Sequence, residues 1–191
     1  MITTLCAYVL IGVFLILEGR LRQGQHAKSL ERGQFDRGST RFIGLAFFVT
    51  FILLILAPVL NHFNIGMMPY AGLVGSLGLI LMLAGMGLRY WAAKTLGAFY
   101  TRTLLIQTEQ RVVEQGPYRL LRHPGYVGDF LMFVGAGMAT ANWIAVIIIA
   151  VVMFSAYAYR IHVEEQMLLT TLGEPYRVYM QRSWRFIPWI Y

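Results

Sequence analysis

Charged side chains are scarce in this chain: only 13% of its 191 residues carry one, and 58% are hydrophobic. That balance excludes an ordinary soluble domain and fits a protein that crosses a membrane several times. Cysteine is nearly absent too. The single Cys6 lies inside an apolar run, so an intrachain disulfide is excluded and a small core hydrophobe is the expected role. Acidic residues number 9 against 16 basic ones, a net charge of +7. Such an excess could serve nucleic acid, but the collection of Lys and Arg in cytoplasmic loops explains it more simply. No phosphate-loop or dinucleotide pattern follows a strand, no repeat or low-complexity tract is present, and no metal site is expected.

What is present is length without charge. Apolar runs cover Ile2–Leu17, Phe42–Leu60, Tyr70–Trp91 and a long region from Phe130 to Tyr159. The first three each read as one membrane helix. The first has basic residues after it rather than before it, which reads as a span and not as a cleavable leader. The fourth region is long for one span and tight for two, and Thr140-Ala141-Asn142 interrupts it. Charge decides between these. Lys and Arg fall only in Arg20–Arg41, in Arg89–Arg122 and from Arg160 onward, and the connections Asn61–Pro69 and Thr140–Asn142 carry none. Five spans put every basic residue on one side. The expected fold is therefore an all-α integral membrane protein of five transmembrane helices, N-terminus outside and C-terminus cytoplasmic. A cytoplasmic cofactor-binding loop joins helices 3 and 4. The fourth helix is expected to be short and to begin at Pro124. One membrane domain, residues 1–191, is expected, with three helices in 1–91 and the catalytic region in 92–191.

Two polar clusters border the last two spans. One is Arg122-His123-Pro124-Gly125-Tyr126; the other is Arg160 with Glu164 and Glu165. Pro is favoured at the first position of a helix, which places His123 at its cap beside the positive end of the helix dipole. That setting suits a carboxylate or phosphate, although a membrane-anchoring cap needs no function. Arg160 and Glu164 share one helix face at i, i+4, and Glu165 is turned by about 100°. One carboxylate can then serve the Arg160 side and the other a neighbouring loop, unless the group is only a solvated helix end. The stretch Lys94–His123 is longer than a minimal connector and rich in aromatic and aliphatic residues, which argues for an ordered, functional loop. After a break at Gly173-Glu174-Pro175, Tyr176, Tyr179, Trp184, Phe186 and Trp189 alternate with arginines. The simpler account of that tail is anchoring at the membrane–water interface; a lid over the loop is the alternative.

Together these residues resemble the isoprenylcysteine carboxyl methyltransferase family, within a broader group that includes membrane phospholipid methyltransferases. The resemblance runs in order through Gly116-Pro117-Tyr118, Arg122-His123-Pro124-Gly125-Tyr126 with Gly128, Glu164-Glu165 with Leu168, Gly173-Glu174-Pro175-Tyr176 with Tyr179, and Arg185-Phe186-Ile187-Pro188. It covers about the last 100 residues, and the first 90 match only as membrane helices. It implies S-adenosylmethionine as methyl donor, held by Gln110, Arg111, Val112, Val113, Tyr118, His123, Pro124, Gly125, Tyr126 and Glu164. It implies Arg160 facing the substrate; Glu165 is expected to support that site, or to act as a base if the acceptor is an amine. The chain departs from the family's pattern at Gln110, where the family often has His, and at Asp129, a charge where an apolar or aromatic residue is expected.

The function expected on this basis is methyl transfer to a lipid-soluble acceptor, most simply the carboxylate of an isoprenylcysteine-like molecule. Phospholipid N-methylation and a nicotinamide-dependent sterol or isoprenoid reductase are the alternatives; a non-enzymatic scaffold or transporter is a third. The expected partners are a prenylated or phospholipid-like substrate and the bilayer itself, with no nucleic acid and no obligate protein partner. The expected location is the endoplasmic reticulum in a eukaryote or the plasma membrane in a prokaryote.

Overall fold

A computed structural model describes residues 1–21, 35–100 and 111–188. These residues form helices and connections, with no strand among them. The α-helices are α1 (Ile2–Leu21), α2 (Ser39–His62), α3 (Ala71–Leu96), α4 (Pro124–Ala139), α5 (Trp143–Leu172) and α6 (Glu174–Gln181). Short 3-10 turns lie at Gly97–Phe99 and Gly116–Arg119.

Four of the helices, α1, α2, α3 and α5, are long and apolar enough to cross a membrane. α4 has 16 residues. At about 1.5 Å per residue it falls short of a hydrocarbon core about 30 Å thick. Its ends are where the sequence puts them. Pro124 starts it, and the chain turns at Thr140–Asn142 before α5.

That turn is locked from outside. Asn142 accepts from the Ala145 N–H (3.1 Å) and donates to the Asn61 side chain and to the Ile65 carbonyl (both 2.8 Å). Asn61 donates in turn to the Thr140 carbonyl at 2.7 Å. The α2–α3 connection thereby clasps the α4–α5 turn, with Met68 N–H on the Ala141 carbonyl and Trp143 N–H on that of Gly66. Asn142→Ala removes the helix cap and both donations, an expected loss of about 2 kcal/mol. Thermal unfolding in detergent measures it, and an unchanged midpoint would show that the clasp contributes nothing.

α3 and α4 pack along a glycine ridge. Ideal Cβ atoms built at Gly78 and Gly85 would lie 2.6 and 2.5 Å from the carbonyl oxygens of Gly135 and Gly128. Small residues bring two helices to this separation in lipid, where close van der Waals packing replaces the hydrophobic effect. Close packing accounts for Gly78 and Gly85, and for Gly75, which meets Thr3. Gly72 and Gly87 face open space. The core between helices is filled by Phe14, Leu54, Met82, Met132, Phe133, Ile149, Met153 and Tyr157.

The break after α5 is a single residue. Gly173 has φ +61°, a region an L side chain resists. Pro175 then occupies the first turn of α6. The chain redirects without losing helical structure, so the segment read as an aromatic tail begins with a helix.

Candidate functional site

The two polar clusters meet. α4 and α5 run antiparallel from their turn, and this returns Arg122–Tyr126 to the level of Arg160–Glu165. Arg122 Nε donates to Glu165 Oε1 at 2.7 Å, and the Tyr126 hydroxyl donates to Glu164 Oε2 at 2.7 Å. The 100° between the two glutamates assigns them to different neighbours, as their spacing implies.

Glu165 is 3% exposed and meets three side chains, two of them arginines. Arg122 and His123 approach Oε1 at 2.7 and 3.4 Å, and Arg185 pairs with Oε2 at 2.7 Å. Arg122 also donates to the carbonyls of Met180 (2.9 Å) and Ser183. The carboxylate thus fastens the α4 entry and the C-terminal segment to α5.

Arg160, also 3% exposed, is caged. Its Nη1 donates to Asp36 Oδ1 (3.1 Å), Ser39 Oγ (2.8 Å) and Thr40 Oγ1 (3.1 Å), and its Nε donates to the Tyr126 hydroxyl at 3.3 Å. Asp36 caps α2 from outside by accepting from the Thr40 N–H and hydroxyl. Burial opposes the charge on Asp36, but hydrogen bonds from Thr40 and Ser39 and the nearby guanidinium hold its carboxyl below the usual range. The phenol of Tyr126 therefore links two charged groups of α5, accepting from Arg160 and donating to Glu164.

His123 caps α4 without using its side chain. Its ring stacks on Tyr126, with centroids 5.8 Å apart and planes 14° from parallel. Pro124 has no N–H, Tyr126 and Val127 spend theirs on the His123 carbonyl, and the Gly125 carbonyl accepts from Arg89. Tyr118 is buried, and burial together with the charge of Glu164 pushes its phenol well up. Arg111 is exposed, and Val112 and Val113 are half-buried. No hydrogen bond or ion pair of the cluster runs to these three among the described residues. Gln110 lies outside the described residues.

The C-terminal segment packs over the loop, with Trp184 left partly exposed and Trp189 outside the described residues. Tyr176, Tyr179 and Phe186 are buried. The Tyr179 hydroxyl donates to the carbonyls of Tyr118 (2.7 Å) and Leu121 (3.3 Å). Arg122 N–H bonds to the Trp184 carbonyl at 2.7 Å and Trp184 N–H to that of Leu120 at 2.9 Å. These bonds hold residues 176–186 over 116–122 as a lid. Tyr176 and Tyr179, three apart on a short amphipathic helix, were the sequence signal for that role.

Sequence reasoning did not assign partners to Glu18, Asp36, Arg89 or Tyr157. Each is buried, and each meets a partner from another helix or connection. Single charges near helix ends gave no hint of those meetings.

The model of the isoprenylcysteine carboxyl methyltransferase family matches residues 78–170. This stretch is isoprenylcysteine carboxyl methyltransferase-like. It spans most of α3, all of α4, the connection between them and nearly all of α5, and so holds every member of the Arg122–Arg160–Glu164–Glu165 group. Over 119 residues the chain is 33% identical to protein-S-isoprenylcysteine O-methyltransferase B of Arabidopsis thaliana, covering 61% of this chain and 60% of that protein. It is likewise 33% identical over 118 residues to the protein-S-isoprenylcysteine O-methyltransferase of Dictyostelium discoideum, covering 60% of this chain and 49% of that one. The chain thus spans about half to 60% of the length of these relatives. The fold is similar to that of a eukaryotic intramembrane Ras methyltransferase, with a TM-score of 0.64 and 24% identity over 78% of this chain and 52% of that one.

Proposed function

We propose that this chain is an integral-membrane methyltransferase that takes a methyl group from S-adenosylmethionine and passes it to the carboxylate of an isoprenylcysteine-like lipid. The observation that carries this reading is the shared phenol of Tyr126. It joins Glu164, whose second carboxylate oxygen accepts no hydrogen bond from a described residue, to Arg160, the cation suited to an acceptor carboxylate. The family match, the curated relatives and the intramembrane fold support it.

The proposed frame is a single membrane domain of five spans, α1 to α5, with α4 as the short fourth. The N-terminus lies outside and the polar clusters lie on the cytoplasmic side, where the Lys and Arg of the connections gather. The membrane is the endoplasmic reticulum in a eukaryote or the plasma membrane in a prokaryote. α4 is met by local thinning of the bilayer at modest cost.

The residues fit a cationic amino-acid nucleoside. Glu164 offers an anionic acceptor for an ammonium or ribose hydroxyls, and Tyr118, His123 and Tyr126 supply aromatic faces for a ring or a positive centre. When bound, the donor supplies a methyl group on a positively charged sulfur. Arg160, fixed by Asp36, Ser39 and Thr40, would orient the acceptor carboxylate in line with that carbon–sulfur bond, whose electron pair leaves on the sulfur as a neutral thioether. The carboxylate is already ionised near neutral pH, so no base is needed. Positioning and exclusion of water by the 176–186 lid supply the rate. Glu165 acts as the clamp that keeps Arg122, His123 and the lid in place. N-methylation of a phospholipid amine is less favoured, because it needs a proton acceptor and both oxygens of Glu165 face arginines.

Transfer of radiolabelled methyl from S-adenosylmethionine into a panel of prenylated thiols and phospholipids tests the reading. Calorimetry with S-adenosylmethionine against NADPH separates a methyltransferase from a reductase. Glu164→Ala is expected to abolish measurable cofactor binding. Arg160→Ala is expected to cut turnover about 100-fold with cofactor affinity retained. Unaltered cofactor affinity in Glu164→Ala would overturn the first assignment.

A further inference from the structure

Beneath the candidate site, ionisable groups from three helices converge. Arg89 of α3 meets Glu18 of α1 at 2.7 Å through Nη2 and Asp129 of α4 at 2.9 Å through Nη1. Its guanidinium lies over the ring of Tyr100, 5.3 Å from the centroid, and the Tyr100 hydroxyl donates to Glu18 at 2.6 Å. All four residues are buried. Ionisable groups inside a membrane domain are costly and rarely idle.

Fastening α1, α3 and α4 together accounts for Glu18 and Arg89. It leaves the second contact of Asp129 without a purpose. Asp129 Oδ2 also accepts the Tyr157 hydroxyl of α5 at 3.0 Å. The Tyr157 ring stacks on that of Tyr126, with centroids 5.2 Å apart and planes 22° from parallel. Tyr126 in turn spends its one hydroxyl on Glu164 and Arg160. A continuous series of contacts thus runs from the buried ions to the groups proposed to hold donor and acceptor.

We propose that Asp129 and Tyr157 are positioning residues for methyl transfer. Asp129 anchors the Tyr157 hydroxyl, and the anchored ring sets the tilt of Tyr126, so that a single phenol meets both Arg160 and Glu164. The Arg160 contact, at 3.3 Å, is near the outer limit of a hydrogen bond. A small rotation of the Tyr126 ring breaks it and releases the guanidinium edge that faces the acceptor. Arg89 pairs with the same Asp129 oxygen at 2.9 Å and holds the carboxylate in place as the acceptor for Tyr157. This inference rests on the methyltransferase reading given above.

The test compares Tyr157→Phe, Asp129→Asn and the double variant in detergent-purified protein. Tyr157→Phe deletes only the hydroxyl and keeps the stacked ring, so it decides the matter even where Asp129→Asn fails to fold. Tyr157→Phe is expected to lower kcat about 10-fold or more, since small misplacements at a reacting centre cost rates of this order. Its dissociation constant for S-adenosylmethionine and its thermal midpoint should stay near those of the wild type. The double variant should be no slower than the slower single one, because both remove one hydrogen bond. An unchanged kcat in Tyr157→Phe overturns the inference. So do single effects that multiply in the double variant, or a fall in kcat that only follows a fall in thermal midpoint. Wild-type protein that binds no S-adenosylmethionine overturns the methyltransferase reading itself; wild-type turnover with an indifferent Tyr157→Phe overturns the positioning role alone.

Discussion

Glu165→Ala is expected to release the C-terminal lid and destabilise the protein by about 3 kcal/mol or more, the usual cost of removing one partner from a buried ion pair. The carboxylate is the common acceptor for Arg122, His123 and Arg185. Without it, Arg122, with only 9% of its side chain exposed, keeps its charge and has just the carbonyls of Met180 and Ser183. Arg185 is more exposed and can turn to water, so the larger penalty falls on Arg122. Residues 176–186 then lose the ionic fastening and keep Tyr179 on Tyr118 and Leu121 and the backbone bonds of Trp184 to Leu120 and Arg122. Limited proteolysis of the segment after Gly173, read beside the thermal midpoint, checks this. Glu165→Gln keeps the shape and one acceptor, and its expected loss is about 1–2 kcal/mol. A lid equally protected in wild type and Glu165→Ala would show that the hydrogen bonds of Tyr179 and Trp184 hold it without the carboxylate.

A side chain added on the α3–α4 ridge is expected to do comparable damage for a different reason. At Gly85 a Cβ would lie 2.5 Å from the Gly128 carbonyl oxygen and 2.6 Å from the Met132 nitrogen; at Gly128 it would lie 2.7 Å from the Arg89 nitrogen. The obstacles are backbone atoms, so no rotamer change relieves them and the helices must part. Separation also draws Arg89 away from Asp129 and from the Gly125 carbonyl. Gly85→Val or Gly128→Val should cost about 3 kcal/mol, at the upper end for overpacking. Gly87→Ala is the matched control. It faces open space on the same helix and should be neutral, or stabilising by about 0.5–1 kcal/mol from helix propensity. Equal thermal midpoints for Gly85→Val and Gly87→Ala would remove the ridge as a determinant of the fold.

Much of the site was legible before any coordinates. The Arg122–Tyr126 and Arg160–Glu165 groups were visible because each pairs scarce charge with an apolar run, and the turn at Thr140–Asn142 because polar residues interrupt that run. The division of labour between Glu164 and Glu165 followed from helix geometry alone. What the sequence could not reveal is pairing across long separations. Asp36 reaches Arg160 across 124 positions, and Glu18 reaches Arg89 across 71. No local pattern marks such contacts, since each side chain taken singly looks like an ordinary helix-end charge. The lid stayed one of two readings for the same reason, because tyrosines and tryptophans among arginines have one composition at a bilayer surface and over a loop.

The sequence by itself determined the class of this protein: helices of membrane length, their breaks, the two chemical clusters and the resemblance that joins them. These depend on properties that repeat along the chain, namely apolarity, helical period and Pro or Gly at helix ends. Only the tertiary structure decided which charge faces which. It gave Arg160 to Asp36 and Tyr126, Glu165 to Arg122 and the lid, and Asp129 to Arg89 and Tyr157. In a buried, low-dielectric interior every ion must find a partner, and packed helices, rather than neighbours in sequence, determine which partners are within reach.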